Sequence, residues 1–401
     1  MKVENFVASW LEDNEKDLVD VRRDIHAHPE LSWQELRTTE LIAESLNGSG
    51  LKPRVMSSGT GLWCDVGTGS GPVVMVRADI DALPIRDEKD LPYSSCVSGV
   101  SHACGHDVHT AIVLGVGMAL AAFDERHSLP GTVRLVFQPA EEVMPGGALD
   151  LIREGVLDSV TAATAVHCDP ALEVGRVGIR SGPITAATDY IEVRLQGPGG
   201  HTSRPQNTVD LVYALAQVVT GLPAALSRTV DPRAAACLVW GQIEAGSVPN
   251  AIPRSGLLRG TLRLLDEELW KQAPAMVERL VSQIVAPFGA TATIEHRQDV
   301  PPVLNSVSAT EALRRATVTA IGEDAVAPTG QSLGGEDFAW YLQRVPGALA
   351  RLGTRSPGGP IYDLHQGRFD VDERAIGLGV RLLATTAVDL VSAAGEAEAG
   401  E

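Results

Sequence analysis

The sequence predicts an α/β fold, a mostly parallel sheet flanked by helices and interrupted by a smaller α+β insertion. Three observations predict it. Nearly continuous apolar runs, PVVMVRADI, TVRLVFQ and TAATAVH, alternate with helical periodicities in the first 182 residues. The pattern then switches to strands of alternating polar and apolar residues in the order β-α-β-β-α-β, which matches a ferredoxin-like module. At 401 residues the chain also exceeds one ordinary core, so two domains are expected.

Each element follows from its local pattern. Residues 3–20 and 34–47 space their apolar positions as helices do, the second closing at Gly48. The short β-rich runs LKPRVM and GLWCDVG follow, and PVVMVRADI reads as a strand buried on both faces. HTAIVLGVGMALAAF at 109–123 is long and apolar enough for a buried helix. TVRLVFQ at 132–138 is a strand, GGALDLIREGVL a helix, and TAATAVH at 161–167 a strand that ends in His167. In the insertion, YIEVRLQ at 190–196 is a half-exposed strand, followed by a helix at about 208–225 and strands at 236–244 and 257–265. A helix at about 266–286 and a strand at 290–297 complete it. An amphipathic helix near 371–393 follows, and the tail AAGEAEAGE reads as disordered. The expected division is therefore 1–182 with 299–401 as one discontinuous domain, and 183–298 as the insertion.

Charge narrows the classes of partner. With 33 basic against 51 acidic residues the net charge is −18, which argues against nucleic acid and anionic membranes. The N-terminal stretch MKVENFVASWLEDNEKDLVDVRRD is broken by charges and lacks the apolar centre of a signal peptide. No run approaches ~20 uninterrupted apolar residues, so no membrane-spanning helix is expected. Cysteines at 64, 96, 104, 168 and 237 are odd in number and scattered, which suits reduced thiols in a cytoplasmic protein.

The chemistry concentrates in SHACGHDVHT at 101–110, just before an apolar helix. A thiolate at Cys104 and an imidazole at His106 suit zinc, cobalt, nickel or manganese, while a polar loop with capping roles is the competing account. Gln138-Pro139-Ala140-Glu141-Glu142 follows a strand, where adjacent carboxylates can divide the work of metal ligand and general base. The competing account is a solvated pair favoured by a helix dipole. His167, His365 in YDLHQGRFD, and Asp79 and Asp81 in DIDALP are each weak alone. Together these groups fall at the C-terminal ends of successive strands, which a parallel sheet gathers at one rim.

Read together, RRDIHAHPELS, RADIDALP, HACGHDVHT, QPAEE, the strand ending in His167, GPGGHTSRP, SVPNAIP, GTLR, GGEDF and LHQGRFDVDE resemble, in order, the amidohydrolase branch of the dinuclear metallopeptidases. That branch contains aminoacylases, hippurate hydrolases and auxin-conjugate hydrolases. The resemblance implies a two-metal site with Cys104, His106, Glu142, His167 and His365 as ligands and Cys104 as a bridging thiolate. It implies Glu141 as the general base and Asp81 as a residue that orients the site, with Asp79 replacing a ligand histidine of other branches. His201 would stabilise the oxyanion in a partner subunit's site, so a homodimer formed through the inserted domain is implied. Asn250 and Arg263 would hold a substrate carboxylate, a strand-face salt bridge being the other account of Arg263. His26, His28, His102 and His109 receive structural or loop roles. Two stretches depart from the branch's usual text, VMPGGA after the glutamates and HQGRF at the last histidine.

The expected activity is metal-dependent hydrolysis of N-acyl amino acids to a carboxylic acid and a free amino acid, with two divalent ions (Zn, Mn, Co or Ni) per subunit. A dipeptidase or carboxypeptidase, or a deacetylase of an N-acetyl-diaminopimelate type, would use the same site. A metal-binding protein without catalysis has no need of a base beside a ligand, which argues against it.

Overall fold

The computed structural model describes residues 1–67 and 71–399. The chain forms two compact units, one from Met1–Gly182, Leu304–Gly330 and Asp337 onward, the other from Pro183–Val303 and Gln331–Glu336. Along the chain come α1 (Val3–Ala27), α2 (Leu36–Gly48), β1 (Arg54–Val55), β2 (Leu62–Val66), β3 (Val73–Asp79), α3 (His106–His127), β4 (Thr132–Gln138), α4 (Ala148–Arg153), β5 (Val160–Glu173) and β6 (Val177–Ile179). Then follow β7 (Gly182–Thr185), β8 (Ala187–Gln196), β9 (Gly200–His201), α5 (Leu211–Thr229), β10 (Cys237–Ala245), β11 (Ala251–Ile252), β12 (Ser255–Leu264), α6 (Glu267–Val285) and β13 (Thr291–Val300). The chain closes with β14 (Val303–Asn305), α7 (Val307–Ala320), β15 (Val326–Pro328), α8 (Ala339–Leu342), β16 (Gly347–Arg355) and α9 (Arg374–Ala399).

The first unit is built on an eight-stranded sheet in the order β1-β2-β4-β3-β5-β16-β6-β15. Its centre, β4-β3-β5-β16, is parallel. β3 and β4 are buried along their whole length, which is why their sequences are apolar without alternation. Helices α1, α3, α7 and α9 pack against one another and the sheet around one apolar core. α3 is apolar on nearly every side because it is enclosed by that core. A Cβ at Gly117 would lie 2.3 Å from Leu135 Cδ1, so glycine there lets α3 approach β4 closely.

Register places the chemistry. Asp79 pairs with Gln138 across β3 and β4, and Arg77 pairs with Ala165, two residues before His167. His167 therefore lies at the level where β3 ends. It does not end its own strand as the sequence suggested, because β5 runs on to Glu173 and keeps pairing with β16 after β3 has stopped.

The second unit carries a four-stranded antiparallel sheet in the order β10-β12-β8-β13, the ferredoxin-like arrangement, with α5 and α6 packed on it. β8 alternates buried and half-buried residues, as one covered face requires. The return segment Gln331–Glu336 has no periodicity that would have assigned it to this unit.

Two expectations need correction. The tail is helical as far as Ala399, with Gly400 and Glu401 outside the described residues. Ala and Glu are strong helix formers and simply extend α9. Three helices, over His106–His127, Leu211–Thr229 and Arg374–Gly395, are also long and apolar enough to cross a membrane. Isolated polar residues such as Thr110 had hidden this, since they interrupt apolar runs without lowering the average much. The first and third of these helices are mostly buried within the protein, the second mostly exposed.

Candidate metal centre and hydrolytic site

The motif around Cys104 is shaped by one glycine. Gly105 has φ +90°, and a Cβ there would sit 2.8 Å from Cys168 Sγ, so only glycine lets the loop turn into α3 at this point. α3 then starts at His106, three residues before the apolar run suggested. The next residue, Asp107, is fully buried and accepts Arg22 Nε at 2.7 Å, with His26 Nδ1 also 2.7 Å away. This ion pair anchors the start of α3 to α1 in the interior.

Hydrogen bonds fix the ring tautomers. His106 Nδ1 lies 2.9 Å from the Asp81 carbonyl and 3.2 Å from its carboxylate. Both are acceptors, so Nδ1 carries the proton and Nε2 is left as the donor atom. His167 Nδ1 donates to the Cys168 carbonyl at 2.8 Å, which leaves its Nε2 3.5 Å from Cys104 Sγ. His109 differs, because its Nε2 accepts the Cys168 backbone N–H at 2.9 Å and its Nδ1 donates to Asp79 at 2.6 Å. Both of its nitrogens are occupied, so His109 supports Asp79 and the β5 backbone. His102 is buried with neither ring nitrogen bonded, and burial holds its pKa down to about 3.

Two donor triplets share one atom. Cys104, His106 and His167 form one, and Cys104, Glu142 and His365 form the other, each with its ligand atoms within 4.8 Å of one another. Glu142 Oε1 is 3.2 Å from His365 Nε2 and 3.8 Å from His106 Nε2. Glu141 Oε2 is 3.9 Å from His106 Nε2. His106 Nε2 and Glu142 Oε1 are buried without a hydrogen-bond partner, a costly state for such groups unless a cation completes them.

The electrostatics agree. Burial would lower the His106 pKa, but the carboxylates of Asp79, Asp81 and Glu142 push it up to about 10. Burial, then the charges of Glu142, Glu141 and Asp79, holds the Cys104 thiol well above its usual range. The pocket is thus an excess of negative charge that demands positive charge at His106 Nε2 and Cys104 Sγ. The residues present fit a pair of divalent ions, with a sulfur able to serve both.

The donors are held by strained backbone and buried acids. Ala140, just before the two glutamates, has φ +55°, and His365 has φ +61°. Such conformations cost roughly 1–2 kcal/mol each for a residue with a Cβ and persist where the surroundings enforce them. His365 is tied by its backbone N–H to the Ala103 carbonyl at 2.8 Å. Asp81 accepts Ser32 Oγ at 2.7 Å and the Glu142 backbone N–H at 3.0 Å.

Behind them lies a buried polar network that joins β3, β4 and Asp337. Arg77 donates to Asp79 at 2.6 Å, Gln138 at 3.0 Å and Asp337 at 2.8 Å. Gln138 in turn donates to Asp337 at 2.7 Å. The available signal was a lone arginine and a lone glutamine inside otherwise apolar strands. Arg22, Asp107 and Glu35 carry no local signal of their buried contacts.

The second unit holds the remaining candidates. His201 on β9 pairs with Ala251 on β11, and Asn250 directly precedes β11, its carbonyl accepting Thr202 N–H at 3.3 Å. The Ser203 backbone N–H donates to His201 Nδ1 at 3.1 Å, so Nε2 carries the proton of the neutral ring. Arg263 donates to Thr188 Oγ1 at 3.1 Å and to the Leu333 carbonyl. Both partners are neutral, and no carboxylate among the described residues pairs with it, so the strand-face salt bridge is not formed.

A mostly parallel sheet with Cys, His and Glu donors gathered beside the ends of its central strands belongs to the class of α/β proteins built to hold metal ions. The chain belongs to Peptidase family M20/M25/M40, whose pattern matches residues 75–389. It is 48% identical over 378 residues to a putative glutamate–cysteine ligase of Rhodococcus jostii, covering 94% of this chain and 47% of that protein. The chain thus spans about half the length of that relative. It is 38% identical to an N-acetyl-L-cysteine deacetylase of Bacillus subtilis, covering 90% of this chain and 85% of the relative. The crystal structure of a dinuclear metal-binding M20 peptidase from Bacillus subtilis superposes with a TM-score of 0.84 at 33% identity, covering 95% of this chain and 99% of that one.

Proposed function

We propose that this enzyme hydrolyses the amide bond of N-acyl amino acids to a carboxylic acid and a free amino acid. The observation that carries the reading is Glu141, a buried carboxylate 3.9 Å from His106 Nε2 and next in the chain to Glu142. Cys104, His106, Glu142, His167 and His365 would hold two divalent ions, Zn, Mn, Co or Ni, and Cys104, which belongs to both donor triplets, would supply a thiolate. When bound, the ions supply Lewis-acid polarisation of the carbonyl and an acidified water. Glu141 takes the proton of the attacking water and passes it to the leaving amine. His201, with its proton on Nε2, donates to the developing oxyanion. Arg263 and Asn250 hold the substrate carboxylate, and the unpaired charge of Arg263 supports that role.

His201 acts in a partner subunit's site, within a homodimer formed through the second unit. Support comes from β10, an edge strand of its sheet on which Val239 and Ile243 are each 58% exposed. An apolar sheet edge of this kind is usually covered. Five free cysteines suit a reducing cytoplasm. The relative named for N-acetyl-L-cysteine makes that compound the first substrate to try.

The test is an assay of N-acetyl, N-benzoyl and indole-acetyl amino acids, N-acetyl-diaminopimelate and dipeptides. Each is run on the protein as purified, after chelation, and after restoring each metal. Acyl-amide cleavage lost on chelation and regained with metal is expected. Cleavage of dipeptides alone would move the enzyme to the peptidase reading.

A further inference from the structure

Glu35 lies far from the metal donors in sequence and belongs to none of the roles above, yet it touches the segment that carries two of them. It sits at the start of α2 and is fully buried. Its Oε1 accepts the backbone N–H of Ala140 at 2.9 Å, and its Oε2 is buried with no partner. Ala140 is itself fully buried at φ +55°, and its carbonyl accepts the Gly147 N–H at 3.2 Å. A Cβ on Gly147 would meet the Pro139 carbonyl at 2.1 Å, so the turn closes tightly.

A residue with a Cβ does not hold a left-handed backbone unless its neighbours enforce it. Changing φ at Ala140 would swing the next two residues, Glu141 and Glu142, away from His106 and His365. Burying a carboxylate with one empty oxygen is unfavourable, and a protein retains such a group where it does something an apolar residue does not. We infer that Glu35 is a positioning residue that locks Ala140 in its left-handed conformation and thereby sets the directions of Glu141 and Glu142. The inference rests on the assignment of those two glutamates as base and ligand, and the experiment separates the two.

Glu35→Met keeps length and burial but removes the acceptor; Glu35→Gln keeps an acceptor. Metal-free wild type and both variants are titrated with Co(II), following the thiolate-to-metal absorption, and kcat and KM are measured on the best substrate of the panel. Glu35→Met is expected to weaken one of two cobalt equivalents, the one shared with Glu142, by about tenfold to a hundredfold, and to lower kcat more than it raises KM. Glu35→Gln should stay within about threefold of wild type. In an Ala140→Gly background, where positive φ costs little, the loss caused by Glu35→Met should shrink.

Equal losses in both backgrounds, or tight binding of both cobalt ions by folded Glu35→Met, would overturn the inference. If Glu35→Met fails to fold but folds with Ala140→Gly, the link to Ala140 stands; if neither folds, Glu35 is a core residue and the inference falls. The cobalt readout needs no substrate, so an enzyme inactive on the whole panel would unseat the proposed reaction while leaving this result readable.

Discussion

The carboxylate of Asp81 accepts the backbone N–H of Glu142 at 3.0 Å, and its other oxygen lies 3.2 Å from His106 Nδ1. One side chain therefore orients donors from two segments, the start of α3 and the strap after β4. Asparagine cannot do both. Its amide would face a donor either at His106 or at Ser32 and Glu142. Asp81→Asn is expected to weaken metal binding by about tenfold to a hundredfold without unfolding the chain. Competition with a chromogenic chelator measures it, and unchanged affinity would show that Asp81 does not orient the donors.

Glu141→Gln separates base from ligand. The amide keeps the size of the side chain and leaves Glu142 in place, but it cannot take a proton from water. The variant should bind two equivalents of metal and lose about a hundredfold or more in kcat. Metal content by elemental analysis and kcat on one substrate are enough. Near-normal turnover in a fully loaded variant would remove Glu141 from its assigned role.

Much of this was legible in the sequence. The range 132–138 is a strand in both the reading and the structure, because a run of apolar residues between turns has few other uses. The donors stood out because Cys104 and His106, and Glu141 and Glu142, lie close together in short motifs. What stayed hidden acts across long separations. Arg22 meets Asp107 across 85 positions and Glu35 meets Ala140 across 105, and periodicity carries no information about such pairs. Gly105 hid the start of α3 for a different reason, since a positive-φ residue before a helix leaves no apolar signal.

The Arg22–Asp107 pair gives a stability prediction. Both side chains are fully buried, and Arg22 also reaches Glu373 at 3.2 Å and Asp370 at 3.3 Å. Removing Arg22 leaves the Asp107 carboxylate in the interior with only the His26 ring beside it, at a cost of about 3–5 kcal/mol. Arg22→Met should therefore lower the denaturation midpoint sharply. A midpoint within the error of wild type would mean that water or another group satisfies Asp107.

Glu35 gives a pH prediction with a definite sign. Burial, and then the charge of Asp81, raises its pKa from 4.5 to about 7 despite the Ala140 N–H it accepts. Between these values the folded metal-free chain holds a proton that the unfolded chain has released. The folded state binds more protons there, so stability is full below about 4.5, falls as pH rises, and is lowest once pH has passed about 7. The slope reaches at most about 1.4 kcal/mol per pH unit for one proton. Glu35→Gln removes the titration and with it this loss. Denaturant midpoints of metal-free wild type and Glu35→Gln at about pH 5 and about pH 8 should therefore diverge, the variant gaining on the wild type at the higher pH by on the order of 1–3 kcal/mol. A difference that is the same at both pH values would show that Glu35 titrates in the fold as it does in water.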